Sequence, residues 1–327
     1  MAKKEVTKLI HKYLRPAKKF PHVWCPGCGN GIILGALIRA IDSLGLTKDE
    51  VVFASGIAGR RDWATRPATV VRGAVLEQTL AHAEFEVEGF EEDEVVFASG
   101  IGCSGRMPVY VDFNTLHTTH GRALTFATGI KLARPELTVI TLMGDGDATA
   151  IGGNHFIHAA RRNLDLNAII VNNQIYGMTG GQHSPTTPYG AYASTSSYGH
   201  IEHAFSISEL AVTAGADFVA RGTVYHADRL EGLMEQAFRK KGFSVVEVMS
   251  NCHIQFGRRN KMGDPVEMMM WLKDRAVSVA KAKTMTEEEL SGKFTIGVLA
   301  DAEKPVYTEE YQRIRDRSQE SGGDSGT

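Results

Sequence analysis

Apolar and polar positions along this chain fall into blocks that read as strand, helix and strand in turn. Leu137–Met143 is a short apolar run rich in β-branched residues, the pattern of a strand buried on both faces. A helix-like segment follows from about Ala148 to Asn163, and a second buried strand, Ala168–Val171, comes next. Further on, Ile207–Gly215 reads as a helix, Phe218–Val224 as a strand, Ala227–Lys241 as a helix and Phe243–Met249 as another buried strand. Upstream, Ile33, Leu37, Ile38 and Ile41 form one stripe on a helix from about Ile32 to Leu44. The small residues Gly121, Ala123, Ala127, Gly129 and Ala133 predict a tightly packed helix within His117–Ala133, opened by His120 and Gly121. Buried strands alternating with helices predict an α/β fold: a doubly wound, mostly parallel sheet with helices on both faces. Residues 258–317 are polar and mixed with helical pieces, and the Gly/Ser/Asp-rich tail Ser318–Thr327 is expected to be disordered.

One feature breaks the alternation. The segment DEVVFASGI occurs at Asp49–Ile57 and again at Asp93–Ile101, 44 residues later. Excising residues 58–101 leaves DEVVFASGIGCSGR without a seam. Residues 1–57 and 102–300 are therefore expected to form the main domain, 58–101 an insertion carrying a duplicated strand, and 301–327 a C-terminal extension. Only the second copy abuts Cys103, so the second is expected to build the core strand and the first to pair elsewhere or lie at an edge. A chance duplication is the alternative.

The polar residues gather where the strands end. Leu137–Met143 runs into Gly144-Asp145-Gly146-Asp147, and Ala168–Val171 into Asn172-Asn173. In open α/β sheets ligands sit outside the carboxyl ends of the strands. Asp145 offers a carboxylate and Asn173 a side-chain carbonyl, and the turn after Asn173 can aim backbone carbonyls the same way. Such hard oxygen ligands, with room for water and phosphate, suit Mg²⁺. Gly144 and Gly146 let a diphosphate approach the backbone, and the next helix begins where its N-terminus favours phosphate. GDG, twenty-five residues, then NN matches the thiamine diphosphate (ThDP) binding motif; a plain turn with an Asp N-cap is the alternative. His120 and Gly121 stand at a natural place to meet the diphosphate, although a purely structural hydrogen bond would equally explain the histidine.

Composition narrows the class. A net charge of −2 points to neither nucleic acid nor an anionic membrane, and no apolar run reaches transmembrane length. The start, MAKKEVTKLIHKYL, is basic and helical without the apolar core of a signal peptide, so a cytoplasmic protein is expected. In that compartment Cys25, Cys28, Cys103 and Cys252 are better metal ligands than disulfides. The Cys25–Cys28 pair heading a helix suits a redox pair, half a zinc knuckle or half an iron–sulfur site. Cys103 and Cys252 each follow a candidate parallel strand, which places them on the diphosphate edge. One pair plus two singles can hold Zn²⁺ or a [4Fe–4S] cluster. Ligands drawn from loops across the whole domain favour the cluster, and beside ThDP it could take electrons one at a time from a decarboxylation.

CPGCGNG, GIGCSGR, THGRA, GDGD, IGGNHFIHAARRN, NNQIYGMTGGQ and SPTT occur in this order. Together they resemble the β subunits of 2-oxoacid:ferredoxin oxidoreductases, most closely the 2-oxoglutarate type, over roughly residues 15–57 and 102–300. The resemblance implies a ThDP- and Mg²⁺-binding subunit with one [4Fe–4S] cluster. It would pair with a larger α subunit as an αβ dimer or a dimer of such dimers. The implied reaction is oxidative decarboxylation of 2-oxoglutarate with coenzyme A to succinyl-CoA and CO₂, electrons passing to ferredoxin, or the reverse. Carried over, Cys25, Cys28, Cys103 and Cys252 would hold the cluster. Asp145, Asn173 and the Ile175 carbonyl would hold Mg²⁺, and Arg106 and Met178 would shape the substrate pocket. Arg106 suits a distal carboxylate and Met178 offers an apolar wall. ThDP also needs a carboxylate beside its aminopyrimidine; no motif for it is visible, and the resemblance assigns it to the α chain. No coenzyme A motif is visible either. A pyruvate or broad-range enzyme, a non-redox ThDP lyase with structural zinc, and an electron-transfer or scaffold subunit without catalysis are the competing readings.

Overall fold

The computed structural model describes residues 9, 12–15, 22–46, 51–56 and 101–322. Its centre is a sheet of eight strands among the described residues: β1 (Val51–Gly56), β2 (Asn114–Thr118), β3 (Thr138–Gly144), β4 (Asn167–Asn172), β5 (Phe218–Thr223), β6 (Ser244–Met249), β7 (Ala276–Ser278) and β8 (Phe294–Asp301). They lie in the order β2-β1-β3-β4-β6-β5-β8-β7. Every pairing is parallel except β5 with β8.

The buried strands explain the layering. Successive side chains of a strand face opposite sides. In β3, Ile140 and Leu142 join one core, and Val139 and Met143 join another. In β4, Ile169 and Val171 divide from Ala168 and Ile170 in the same way. Helices α1 (Asn30–Ser43) and α5 (Ala227–Arg239) cover the first face; α2 (Ala123–Ala133), α3 (Gly153–Arg161) and α4 (Ile207–Ala214) cover the second. The predicted stripe Ile33, Leu37, Ile38 and Ile41 is buried on α1. The expected doubly wound, mostly parallel α/β fold is therefore present. No helix among the described residues is long and apolar enough to cross a membrane.

The chain leaves β1 toward β2 on one side and returns to place β3 on the other. In such sheets ligands bind outside the carboxyl ends of the strands at the reversal, here β1 and β3. Gly144-Asp145-Gly146 stands at the carboxyl end of β3.

Several expectations need correction. The strand between β2 and β3 is the first copy of the repeat: Val51–Ser55 pairs with Thr138–Leu142 of β3, and Val52–Gly56 with Asn114–Thr118 of β2. The second copy lies outside the described residues, except for Ile101. On sequence the two copies fit one slot equally, and the 44 extra residues lengthen the connection on one side of the strand or the other whichever copy is used. Cys103 does not need a strand to reach the edge. It heads a 3₁₀ turn, Ser104–Val109, packed against β1 and β3.

The helix expected over Ala148–Asn163 is broken into a π turn, Asp147–Ile151, and α3. His117 belongs to β2, and α2 begins at Ala123 rather than at His120. The polar region after 258 contains α6 (Pro265–Arg275), β7, two single helical turns and β8. β8 escapes prediction because most of its side chains are half-exposed and Gly297 sits within it at φ +120°. The tail is helical through Gly322 in α7 (Tyr307–Gly322), where Arg313 pairs with Glu310 and Gln312 donates to Asp316 at 2.6 Å. Residues 323–327 lie outside the described residues.

Candidate active site

Asp145 follows directly on β3 and is buried. Its Oδ2 accepts hydrogen bonds from Ser184 Oγ and Thr186 Oγ1, both at 2.5 Å. Burial pushes this carboxyl up to about 6, while the two hydroxyls pull the other way. From the loop after β4, Tyr176 Oη donates to the Gly146 carbonyl at 3.0 Å, and its ring fills the space over Gly146 so closely that a Cβ there would lie 2.3 Å from it. After β4 the chain turns sharply through Gln174 at φ 63°, a left-handed conformation uncommon outside glycine. The turn is held from inside and out: Asn173 Oδ1 accepts from Ile175 N at 3.2 Å, and Thr187 Oγ1 donates to the Gln174 carbonyl at 2.7 Å. The donor set fits Mg²⁺ chemistry, with one carboxylate (Asp145), one amide oxygen (Asn173) and the carbonyl of Ile175 on the turn after Asn173.

Behind the turn lies a buried charge pair. Glu247 of β6 accepts from Asn172 Nδ2 and Arg221 Nε at 2.8 Å each, and from Ser208 Oγ at 2.5 Å. Burial pushes its carboxyl up, but Arg221 and these hydrogen bonds hold it below the ordinary carboxylate range.

His120 and Asp147 form a second corner. Asp147 Oδ1 is 2.6 Å from His120 Nδ1 and accepts from Gly121 N at 2.7 Å, while the buried Oδ2 has no protein partner. Burial pushes Asp147 up, against the pull of His120 and Gly121. Only glycine fits at 121: φ is +70°, and a Cβ would lie 2.4 Å from Ile151 Cγ2 and 2.7 Å from the Gly152 backbone nitrogen. His120 thus has its structural hydrogen bond on Nδ1, while no hydrogen bond engages Nε2 among the described residues. Its ring meets Tyr176 edge-on at 5.9 Å.

The four cysteines are free thiols, Cys25 exposed and the others partly buried. Cys28 N donates to the Cys25 carbonyl at 3.0 Å, closing the loop, and Asn251 Nδ2 pins the loop by donating to the Gly27 carbonyl at 2.9 Å. Trp24 Nε1 donates to the Cys103 carbonyl at 2.5 Å. Cys252 and Cys103 meet at Gly177, where an added Cβ would lie 3.3 and 3.8 Å from their sulfurs. Burial pushes Cys28 up to about 11 and Cys103 up to about 12, and the neighbouring cysteines push the same way. The four thiols thus feel one another's charge, and a metal centre held there would need them deprotonated. Among the described residues no three His, Cys, Asp or Glu side chains converge on one ion position. Four thiols can hold Zn²⁺ or a [4Fe–4S] cluster.

Arg106 stands in the 3₁₀ turn after Cys103, its buried Nε without a protein partner. Its charge eases the rise at Cys103, and His117 is depressed to about 4 by burial first, then by Arg106 and Arg15. Met178, 37% exposed, follows Gly177 in the small hairpin that Tyr176 N and the Gln182 carbonyl close at 2.9 Å. Both residues therefore lie on loops that meet at Cys103. The parts that sequence reasoning passed over are Tyr176, the hydroxyls of Ser184, Thr186 and Thr187, and the Glu247–Arg221 pair. The SPTT string was visible, but its task of holding Asp145 and the Gln174 turn was not.

Comparison with known proteins follows the same lines. Residues 100–248 match the family described as thiamine pyrophosphate enzyme, C-terminal TPP binding domain. The 2-oxoglutarate synthase subunit KorB of Methanocaldococcus jannaschii is 41% identical over 93% of this chain and 96% of that protein. The protein of the same name from Archaeoglobus fulgidus is 48% identical over 73% of each. Among solved structures, a 2-oxoglutarate:ferredoxin oxidoreductase from Magnetococcus marinus, with 2-oxoglutarate, coenzyme A and succinyl-CoA bound, superposes with a TM-score of 0.72. Its sequence is 28% identical, and the match covers 97% of this chain and 92% of that one.

Proposed function

The chain belongs to the 2-oxoacid:ferredoxin oxidoreductases, among the 2-oxoglutarate synthase KorB subunits, and from that premise we propose that it carries the cofactor and electron-transfer half of a 2-oxoglutarate oxidoreductase. The substrate reading is 2-oxoglutarate, decarboxylated with coenzyme A to succinyl-CoA and CO₂. The observation that carries it is the position of Gly177. This glycine is four residues past Asn173, and Cys252 and Cys103 lie against it. One short loop thus joins the diphosphate edge to the thiols.

Bound ThDP would supply the electron sink for loss of CO₂, and an iron–sulfur cluster a one-electron outlet. The chain's own residues do the rest. Asp145, Asn173 and the Ile175 carbonyl hold Mg²⁺ against the diphosphate. Gly121, Gly144, Gly146 and the Asp147–His120 pair shape the wall beside it. Cys25, Cys28, Cys103 and Cys252 hold the cluster. Arg106, with its unpartnered Nε, receives the distal carboxylate of the substrate, and Met178 walls the space for its methylenes. Exposed Tyr189, Tyr198, Ile201 and Phe205 around the loop support an α subunit covering this edge in the cytoplasm.

The test is the complex with its α subunit, purified without oxygen. A broad visible absorbance with iron rather than zinc, and ferredoxin reduction with 2-oxoglutarate and coenzyme A, is expected. Arg106→Ala should weaken use of 2-oxoglutarate by about 2–4 kcal/mol relative to pyruvate. Stoichiometric zinc without iron, or a variant that loses both substrates equally, would overturn the reading.

A further inference from the structure

The segment from Cys252 to Pro265 carries a basic edge to which the site itself assigns no task. It leaves Cys252 through a π turn, His253–Gly257, and exposes Arg258, Arg259 and Lys261 before α6 begins at Pro265. Gly27 of the Cys25–Cys28 loop rests on that same segment: an added Cβ would lie 2.7 Å from Pro265 Cβ and 3.8 Å from His253 Cε1. The basic turn therefore departs from one cysteine and returns beside the loop that carries two others.

Exposed apolar and cationic residues both occur on the two segments that Gly27 joins. Cys25 and Pro26 are exposed, and Val23 and Val266 are 60% and 67% exposed. Three cations in four residues are a local feature in a chain of net charge −2. The side chains of Arg258 and Lys261 have no hydrogen-bond or ion-pair partner among the described residues, whereas Arg259 donates to the Gly180 carbonyl at 3.2 Å. The two nearest acids are turned to another task, the N-terminal cap of α6. Asp264 Oδ1 accepts from Val266 N and Glu267 N at 2.8 and 2.9 Å, and Glu267 Oε2 accepts from Asp264 N at 2.7 Å.

Resting on the function proposed above, we infer that this face docks the acidic electron-carrier protein, with Arg258 and Lys261 steering it onto the exposed Cys25 loop. A redox group held by the four thiolates would give up one electron per encounter and be oxidised as the carrier's own redox centre is reduced; no bond or proton would change. Redox encounters of this kind use small interfaces and depend on charge to find register. The exposed loop offers the shortest exit for an electron among the thiols, since the other three are partly buried.

The experiment uses the reconstituted complex carrying R258E/K261E, assayed with an acidic low-potential ferredoxin and, separately, with methyl viologen. The Michaelis constant for ferredoxin should rise roughly tenfold or more, and its salt dependence should flatten. Viologen reduction should be unchanged, and calorimetric titration at low salt should show the same loss of ferredoxin affinity. The neutral pair R258Q/K261Q should fall between. Unchanged ferredoxin affinity overturns the inference, as does failure of the variant to associate with the α subunit, which would mark this face as a subunit contact. Absence of any 2-oxoglutarate-dependent viologen reduction in the wild-type complex would instead overturn the function on which the inference rests.

Discussion

Asp145 shows how much of a site is supporting structure. A buried carboxylate is disfavoured as the anion, and this one is held by two hydroxyls from a loop some forty residues away, Ser184 and Thr186. Hydrogen bonds to a charged group contribute about 1.5–3 kcal/mol each. The double variant S184A/T186V should therefore lower affinity for ThDP with Mg²⁺ by at least about tenfold while Asp145 remains in place, as read by cofactor titration; Asp145→Ala should lose far more. Equal, undiminished binding in both variants would remove Asp145 from the site. His117 gives a pH signature at the same scale. Its folded form stays neutral down to about 4, because burial and the charges of Arg106 and Arg15 oppose protonation, whereas an unfolded histidine takes its proton near 6.5. Acid thus favours the unfolded chain, and stability should fall as pH drops from about 6.5 toward about 4. Denaturant melts across that window should show a smaller decline for His117→Gln than for the wild type.

At the scale of elements, legibility followed burial. β3, β4, β5 and β6 are buried at nearly every position, and each announced itself as an apolar run. β8 is mostly half-buried, its apolar positions interrupted by Thr295 and Gly297, and α7 faces largely outward without an apolar run, so neither stood out. The π turn at Asp147–Ile151 was hidden for another reason. Nothing in DATAI distinguishes it from an α-helical turn; close packing of Gly152 against the Asp147 carbonyl and Gly121 does. The cysteines and the GDG–NN pair were readable because their chemistry restricts residue type, whereas the hydroxyl latch and the Glu247–Arg221 pair depend on contacts between distant segments. The duplicated strand is the sharpest case, since identical sequences cannot tell which copy fills one slot. With β1 supplied by Val51–Gly56, none of the described strands draws on residues 58–101. A variant lacking 58–101 should fold, with an unchanged far-ultraviolet spectrum and unchanged iron content. Loss of folding on that deletion would show that the second copy is required.

At the scale of the whole molecule, the buried acids among the described residues are tied to partners within this chain, Asp147 through Oδ1 alone. Among the described residues, Glu247 is the one buried glutamate, and Arg221, Asn172 and Ser208 engage it. The buried aspartates are similarly committed: Asp145 to its hydroxyls, Asp147 to His120, Asp165 to Lys131 at 2.7 Å and Asp217 to Lys304 at 3.1 Å. ThDP chemistry needs a carboxylate beside the aminopyrimidine, and the family resemblance assigns that group to the α chain. The exposed aromatic residues around the Tyr176–Phe205 loop are where a second subunit could deliver it. The isolated chain should then bind ThDP with Mg²⁺ yet release no CO₂ from 2-oxoglutarate, and adding the α subunit should restore release without changing cofactor affinity by more than about tenfold. Binding would be followed by titration and release by trapping labelled CO₂ in the same preparation. Sustained CO₂ release by the isolated chain would mean that it carries its own activating carboxylate, and the assignment of that group to the α chain would be wrong.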